Sequence, residues 1–149
     1  MRTERPTDLE TVLTRAFAAP RAAVFAALTE PASIRQWLGA TGFTLASCDI
    51  DLRVGGRVRY VFARANGRKI EVRGEYEAID PPRGYAWRES YDFSPLVVHV
   101  RTELTEHGNG TSLRQVLTYG TKAERDEDFP GVATSSREAF DRLERLLLE

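Results

Sequence analysis

The sequence predicts an α+β fold: a curved antiparallel sheet of about seven strands, covered on one face by a long C-terminal helix. Three observations carry this reading. Residues 42–119 run as six consecutive strand-like segments with short turns, the mark of an antiparallel meander. Val132, Ser136, Phe140, Leu143 and Leu147 recur at helical spacing near the C-terminus. Between a first strand and the meander lie two short helical stretches, opened by Pro20 and Pro31. One face of the meander must be covered, and only the terminal helix is long enough to do it.

The elements follow in order. Residues 1–8 are polar and expected to be loose, and 9–17 (LETVLTRAF) alternate as a first strand. The period then becomes helical, with Val24, Phe25 and Leu28 on one face. Pro31 ends that helix and opens a second, which carries Ile34, Trp37 and Leu38 on one side and stops at Gly39. FTLASCDIDLRV (43–54) reads as a strand, and RVRYVFA (57–63) as the next, with Val58, Tyr60 and Phe62 on one face. Gly55 and Gly56 fall between them, where a curved sheet turns tightly and glycine accepts positive φ without steric cost. Asn66-Gly67 is a two-residue hairpin signal. KIEVRGEYEAI (69–79) places Ile70, Val72, Tyr76 and Ala78 on one face. DPPRG is a turn, YAWRESY (85–91) the fifth strand, VVHVRTELTE (97–106) the sixth and TSLRQVLTY (111–119) the seventh. The polar stretch 121–131 is expected to be a loop, with the helix beginning at Val132.

Composition narrows the function classes. A chain of 149 residues with 42% hydrophobic residues fits one domain with a real core, and no linker, repeat or low-complexity stretch divides it. A net charge of −1 gives no field that would steer the chain to nucleic acid or an anionic membrane. No apolar run approaches the ~18 residues of a membrane span. The first ten residues lack the apolar stretch of a signal peptide, and Cys48 is the single cysteine, so a reducing cytoplasm is expected. RVGGRVRY opens a strand and lacks the lysine and hydroxyl of a phosphate-binding loop.

Several pieces have a familiar order: GATGFT after a tryptophan helix, then DLRVGG, GEYEAIDPPRGYAW, GNGTSLRQVLTY and a leucine-rich terminal helix. Over about residues 9–148 the chain resembles the activator of Hsp90 ATPase homologue 1-like branch of the START-like, or SRPBCC, superfamily. The resemblance implies a helix-grip fold, with a cavity between sheet and helix and the two short helices near its mouth. It also implies binding of an apolar small molecule, such as a lipid, a sterol or a polyketide-like aromatic. Some relatives are cyclases or hydrolases. The eukaryotic namesake binds Hsp90 but carries an additional domain for which this chain has no room, so an Hsp90-type partner is not expected. A homodimer stays open.

No catalytic constellation stands out. His99 is expected on the outer face and His107 in a turn, neither with a partner at metal-ligand spacing, so no metal and no cofactor are expected. Cys48 reads as a small buried residue. Asp49 and Asp51 read as members of surface ion pairs with Arg53 on their face. The arginines of the outer faces (57, 59, 73, 88, 101, 114) are interleaved with Glu71, Glu75, Glu77 and Glu103, which reads as a salt-bridged sheet surface more than as a docking face. The informative polar residues are those in apolar phase. Tyr85, Trp87, Glu89 and Tyr91 share one side of their strand; Leu113, Gln115, Leu117 and Tyr119 share one side of theirs. An inward Glu89 must be paired or have a raised pKa, and such groups mark binding or catalytic sites. The candidate ligand-binding set is therefore Trp37, Phe43, Tyr60, Phe62, Tyr76, Trp87, Glu89, Gln115 and Phe140, with Glu89 and Gln115 orienting a polar group.

Overall fold

The computed structural model describes residues 1–149. Its elements are β1 (Arg2–Glu4), β2 (Glu10–Phe17), α1 (Arg21–Thr29), α2 (Pro31–Trp37), β3 (Thr44–Ile50) and β4 (Arg57–Ala63). They continue with β5 (Lys69–Asp80), β6 (Gly84–Tyr91), β7 (Val97–His107), β8 (Gly110–Thr118) and α3 (Lys122–Leu147). All strands join one sheet in the order β1-β2-β8-β7-β6-β5-β4-β3, antiparallel throughout. The meander from β3 to β8 accounts for six of them. The excursion through α1 and α2 carries the chain from β2, beside β8, to β3 at the far edge. One cluster of 25 buried residues fills the space between sheet and helices. Phe140 of α3 joins its two sides, with its ring 6.0 Å from Phe17 of β2 and 6.3 Å from Trp37 of α2.

The sheet has eight strands rather than seven because residues 1–8 are not loose. Arg2–Glu4 pairs with Val12–Thr14. Three residues without apolar alternation carry no strand signal; the backbone ladder alone holds them. A second correction concerns the strand drawn through residue 54. It ends at Ile50, and the chain turns through 51–56, leaving Leu52 and Val54 exposed. Gly55 (φ +80°) and Gly56 make this turn. A Cβ at Gly56 would lie 2.0 Å from the Asp51 carbonyl oxygen, so no other residue fits. Gly55 and Gly56 then hydrogen-bond to Tyr76 of β5, which stitches the turn to the sheet. Arg64 and Arg68 close the next hairpin around Ala65, Asn66 and Gly67, with only Gly67 left-handed, so the loop has three residues rather than two.

A β-bulge after Tyr76 shifts the face of the rest of β5. Ala78, expected inward, lies on the exposed side, and Ile79 packs against the core opposite Tyr85.

The largest correction is the start of α3. The stretch 121–131 is not a loop: the helix begins at Lys122 and runs through Pro130. Thr121 caps it, its hydroxyl oxygen accepting from the Glu124 N–H at 3.1 Å while donating to the Glu124 carboxylate at 3.2 Å. Polar contacts hold this half down. The buried Arg125 donates to the Thr7 carbonyl and pairs with Asp126, Arg5 stacks on Phe129 at 4.3 Å, and Tyr119 donates to Asp128 at 2.6 Å. This half of the helix carries no apolar stripe, because polar side chains anchor it.

The outer face is the salt-bridged surface the alternation implies. Glu71 pairs with both Arg59 and Arg73, Arg88 with Glu75 at 3.6 Å, and His99 with Glu77 at 3.1 Å. No helix is long and apolar enough to cross a membrane.

Candidate functional site

Between the sheet and α3 lies a cavity of about 300 Å³, lined by 19 residues of which 14 are hydrophobic. Period-two alternation builds its floor. On β6, Tyr85, Trp87, Glu89 and Tyr91 all point in. Tyr60 and Phe62 come from β4, Ile70 and Val72 from β5, and Gln115 from β8. The roof is α3, with Ser135, Ser136, Ala139 and Phe140. Leu28, Trp37 and the loop through Leu38, Gly39, Ala40 and Phe43 close one end.

The floor is possible because β5 makes room for it. Gly74 sits beside Trp87, and a Cβ there would come within 3.3 Å of the indole and 3.4 Å of Val58 Cβ. The indole packs in a set of rings: Tyr85 at 5.2 Å, Tyr76 at 5.5 Å and Tyr60 at 6.3 Å. The closing loop is tied to α3 by Arg142, which donates to the Trp37 carbonyl at 3.0 Å and to the Gly39 carbonyl, and by Glu138, which accepts from the Thr41 hydroxyl at 3.0 Å. The Trp37 indole N–H is spent on the Ala27 carbonyl at 2.9 Å, so that ring offers the cavity only its apolar surface.

Eight of the nine residues singled out in the sequence line this cavity. Tyr76 does not. It is 1% exposed and packs edge-on against Tyr85, behind the cavity wall, with its hydroxyl buried and unpartnered. Its face was right, but its depth was not. The sequence reading left out Tyr85 and Tyr91, although both share the phase of Glu89 and so were legible. It also left out Ser135, and it had no means to find Asp128, which fell in the presumed loop.

Glu89 is the one ionisable carboxyl of the cavity. Its oxygens accept from the Trp87 indole N–H at 3.2 Å and from the Tyr91 hydroxyl. Burial pushes its pKa up; these two hydrogen bonds oppose the shift, and the nearby Asp128 adds to it. Part of its surface faces the empty interior. Burial also raises the tyrosines around it: Tyr85 to about 12, and Tyr60, Tyr91 and Tyr119 upward as well. At neutral pH their hydroxyls are therefore neutral donors. The Tyr60 side chain is 5% exposed and lines the cavity. Gln115 donates to the Thr102 hydroxyl at 3.0 Å, leaving its carbonyl oxygen for other donors. Cys48 is buried in the core, and burial pushes its thiol pKa up. No group of three His, Cys, Asp or Glu side chains is placed to hold a metal ion.

A curved antiparallel sheet wrapped around a long C-terminal helix over an interior cavity defines the helix-grip class of START-like proteins. Within it, the chain belongs to the AHSA1 family, described as activator of Hsp90 ATPase homolog 1-like protein, whose model matches residues 18–148. The chain is similar to a crystal structure of a protein from Rhodobacter sphaeroides, with 28% identity and a TM-score of 0.92, covering 99% of this chain and 97% of that one. It is similar to Ms6760 from Mycobacterium smegmatis at 25% identity and TM-score 0.88, covering 99% and 97%. NE0264 from Nitrosomonas europaea shares the fold at 23% identity and TM-score 0.87, covering 97% of each chain. No curated protein matches the chain.

Proposed function

We propose that this protein binds a hydrophobic small molecule, aromatic or lipid-like, in its internal cavity. The observation that carries the reading is the cavity itself: about 300 Å³, mostly apolar, with Glu89 and Gln115 among the aromatic walls. Specific ligand sites are built this way, with apolar walls for affinity and a few placed polar groups for orientation. A ligand that buries roughly 300 Å² of apolar surface gains about 7 kcal/mol before the cost of association. Family membership supports the same reading, since relatives commonly bind hydrophobic ligands.

The test is calorimetric titration with naphthalen-2-ylmethanol, a neutral aromatic alcohol. The wild type is expected to bind it at a single site. Ser136→Phe, which fills the cavity from α3, is expected to abolish binding while circular dichroism stays native. Equal binding by both proteins would move the ligand out of the cavity.

A second reading, a cyclase- or hydrolase-type enzyme, rests on Glu89 alone: a carboxyl of raised pKa inside a cavity is a candidate acid/base. No nucleophile or second acid accompanies it within hydrogen-bond reach except the Tyr91 hydroxyl. The interaction-module reading is weaker still, because the outer-face arginines other than Arg57 are paired with acids in their own sheet.

A further inference from the structure

Beside the aromatic cavity, toward the N-terminal half of α3, lies a second chamber of about 450 Å³. The two share Glu89, Tyr91, Gln115, Ser135 and Ser136, so they adjoin with Glu89 at the junction. The second chamber differs in chemistry. Asp128 lines it from α3, and Tyr91 and Phe93 form an aromatic corner with ring centroids 5.3 Å apart. Neither chamber is lined by a lysine, arginine or histidine. Arg5 and Arg125 pair with Asp126, at 3.9 and 2.8 Å.

From this we infer that the ligand is a cationic amphiphile, an aromatic or alkyl amine, whose apolar body fills the aromatic cavity and whose protonated nitrogen sits between Glu89, Asp128 and the Tyr91–Phe93 corner. The inference rests on the cavity being a ligand site. Three physical points support it. Two carboxyls facing one space without a basic partner are costly, and a ligand cation offsets that cost. Aromatic faces next to carboxylates are a cation-binding arrangement, since ring quadrupoles and carboxylates attract the same charge. An anionic ligand such as a fatty acid would meet two carboxyls and no counter-charge, so it is selected against.

The test compares three isosteres at neutral pH: naphthalen-2-ylmethylamine, naphthalen-2-ylmethanol and 2-naphthoate. The amine is expected to bind at least tenfold more tightly than the alcohol, and the carboxylate more weakly than either. Glu89→Gln keeps one acceptor oxygen for the Trp87 N–H and turns its NH2 toward the Tyr91 oxygen, Asp128→Asn keeps an oxygen for the Tyr119 hydroxyl, and both remove the charge. Each is expected to reduce the amine's advantage over the alcohol several-fold, and thermal unfolding identifies any variant that has lost its fold. Equal affinities for amine and alcohol would overturn the cationic inference and leave the cavity reading intact. Tighter binding of the carboxylate would overturn it outright. Binding of none of the three would overturn both.

Discussion

A carboxyl group among aromatic rings has few ways to stay charged, and Glu89 shows the balance at the scale of one residue. Burial favours its protonated form, while the Trp87 and Tyr91 donors favour the carboxylate. Burial wins, so the folded state holds the proton more tightly than the unfolded chain does. Glu89's contribution to stability is then full below the unfolded glutamate value of 4.5 and is lost as pH rises through the folded value. Glu71 and Asp141 behave oppositely. Arginine partners hold both low, so their contribution is present above the unfolded values and disappears as pH falls through the folded ones. A single pH–stability curve mixes the two directions, whereas the difference between wild type and Glu89→Gln separates them. That difference is expected to grow in favour of the variant as pH rises above about 4.5. Denaturant unfolding of both proteins across this range measures it, and a difference independent of pH would mean that Glu89 has its ordinary pKa.

At the scale of elements, α3 shows which parts of the fold the sequence makes legible. Its C-terminal half carries an apolar stripe, and Phe140 and Leu143 are buried where the spacing put them. Its N-terminal half carries none, and Pro130-Gly131 imitates a turn. Yet the Thr121…Glu124 pair was a start signal in plain text. Thr121→Ala is expected to cost about 1 kcal/mol and to reduce hydrogen-exchange protection over the first turns of α3. No change in either would mean that the Arg125 and Tyr119 contacts hold the segment without the cap. Strand β6 was read correctly for the whole of its inner face, because alternation fixes the side of every residue at once. Strand β5 was not, because a bulge reverses the phase after Tyr76 and leaves no mark in residue type. Tyr76 itself shows a different limit. Phase gives the face of a ring, but whether that ring meets empty space depends on the volumes of neighbours from three other strands and three helices.

At the scale of the whole molecule, the topology explains why a space survives. The sheet runs from β1 to β3 through eight strands, and α3 is the one long helix on its face, with the short α1 and α2 packed over the rest and closing one end. One helix cannot fill the concavity of so wide a sheet, so its side chains leave the aromatic cavity and the acidic chamber beside it. The central claim is that the first of these takes an apolar ligand. The most direct test uses the two tryptophans, Trp37 and Trp87, which are the only ones in the chain and which both line the cavity. Protein-observed ¹⁵N NMR during titration with naphthalen-2-ylmethanol reads both indole N–H signals and the α3 backbone together. The account predicts saturable shifts of both indoles and of residues 135–140, with the outer-face residues of β5 and β7 unmoved. Shifts confined to the outer face, or a spectrum unchanged at millimolar probe, would contradict it.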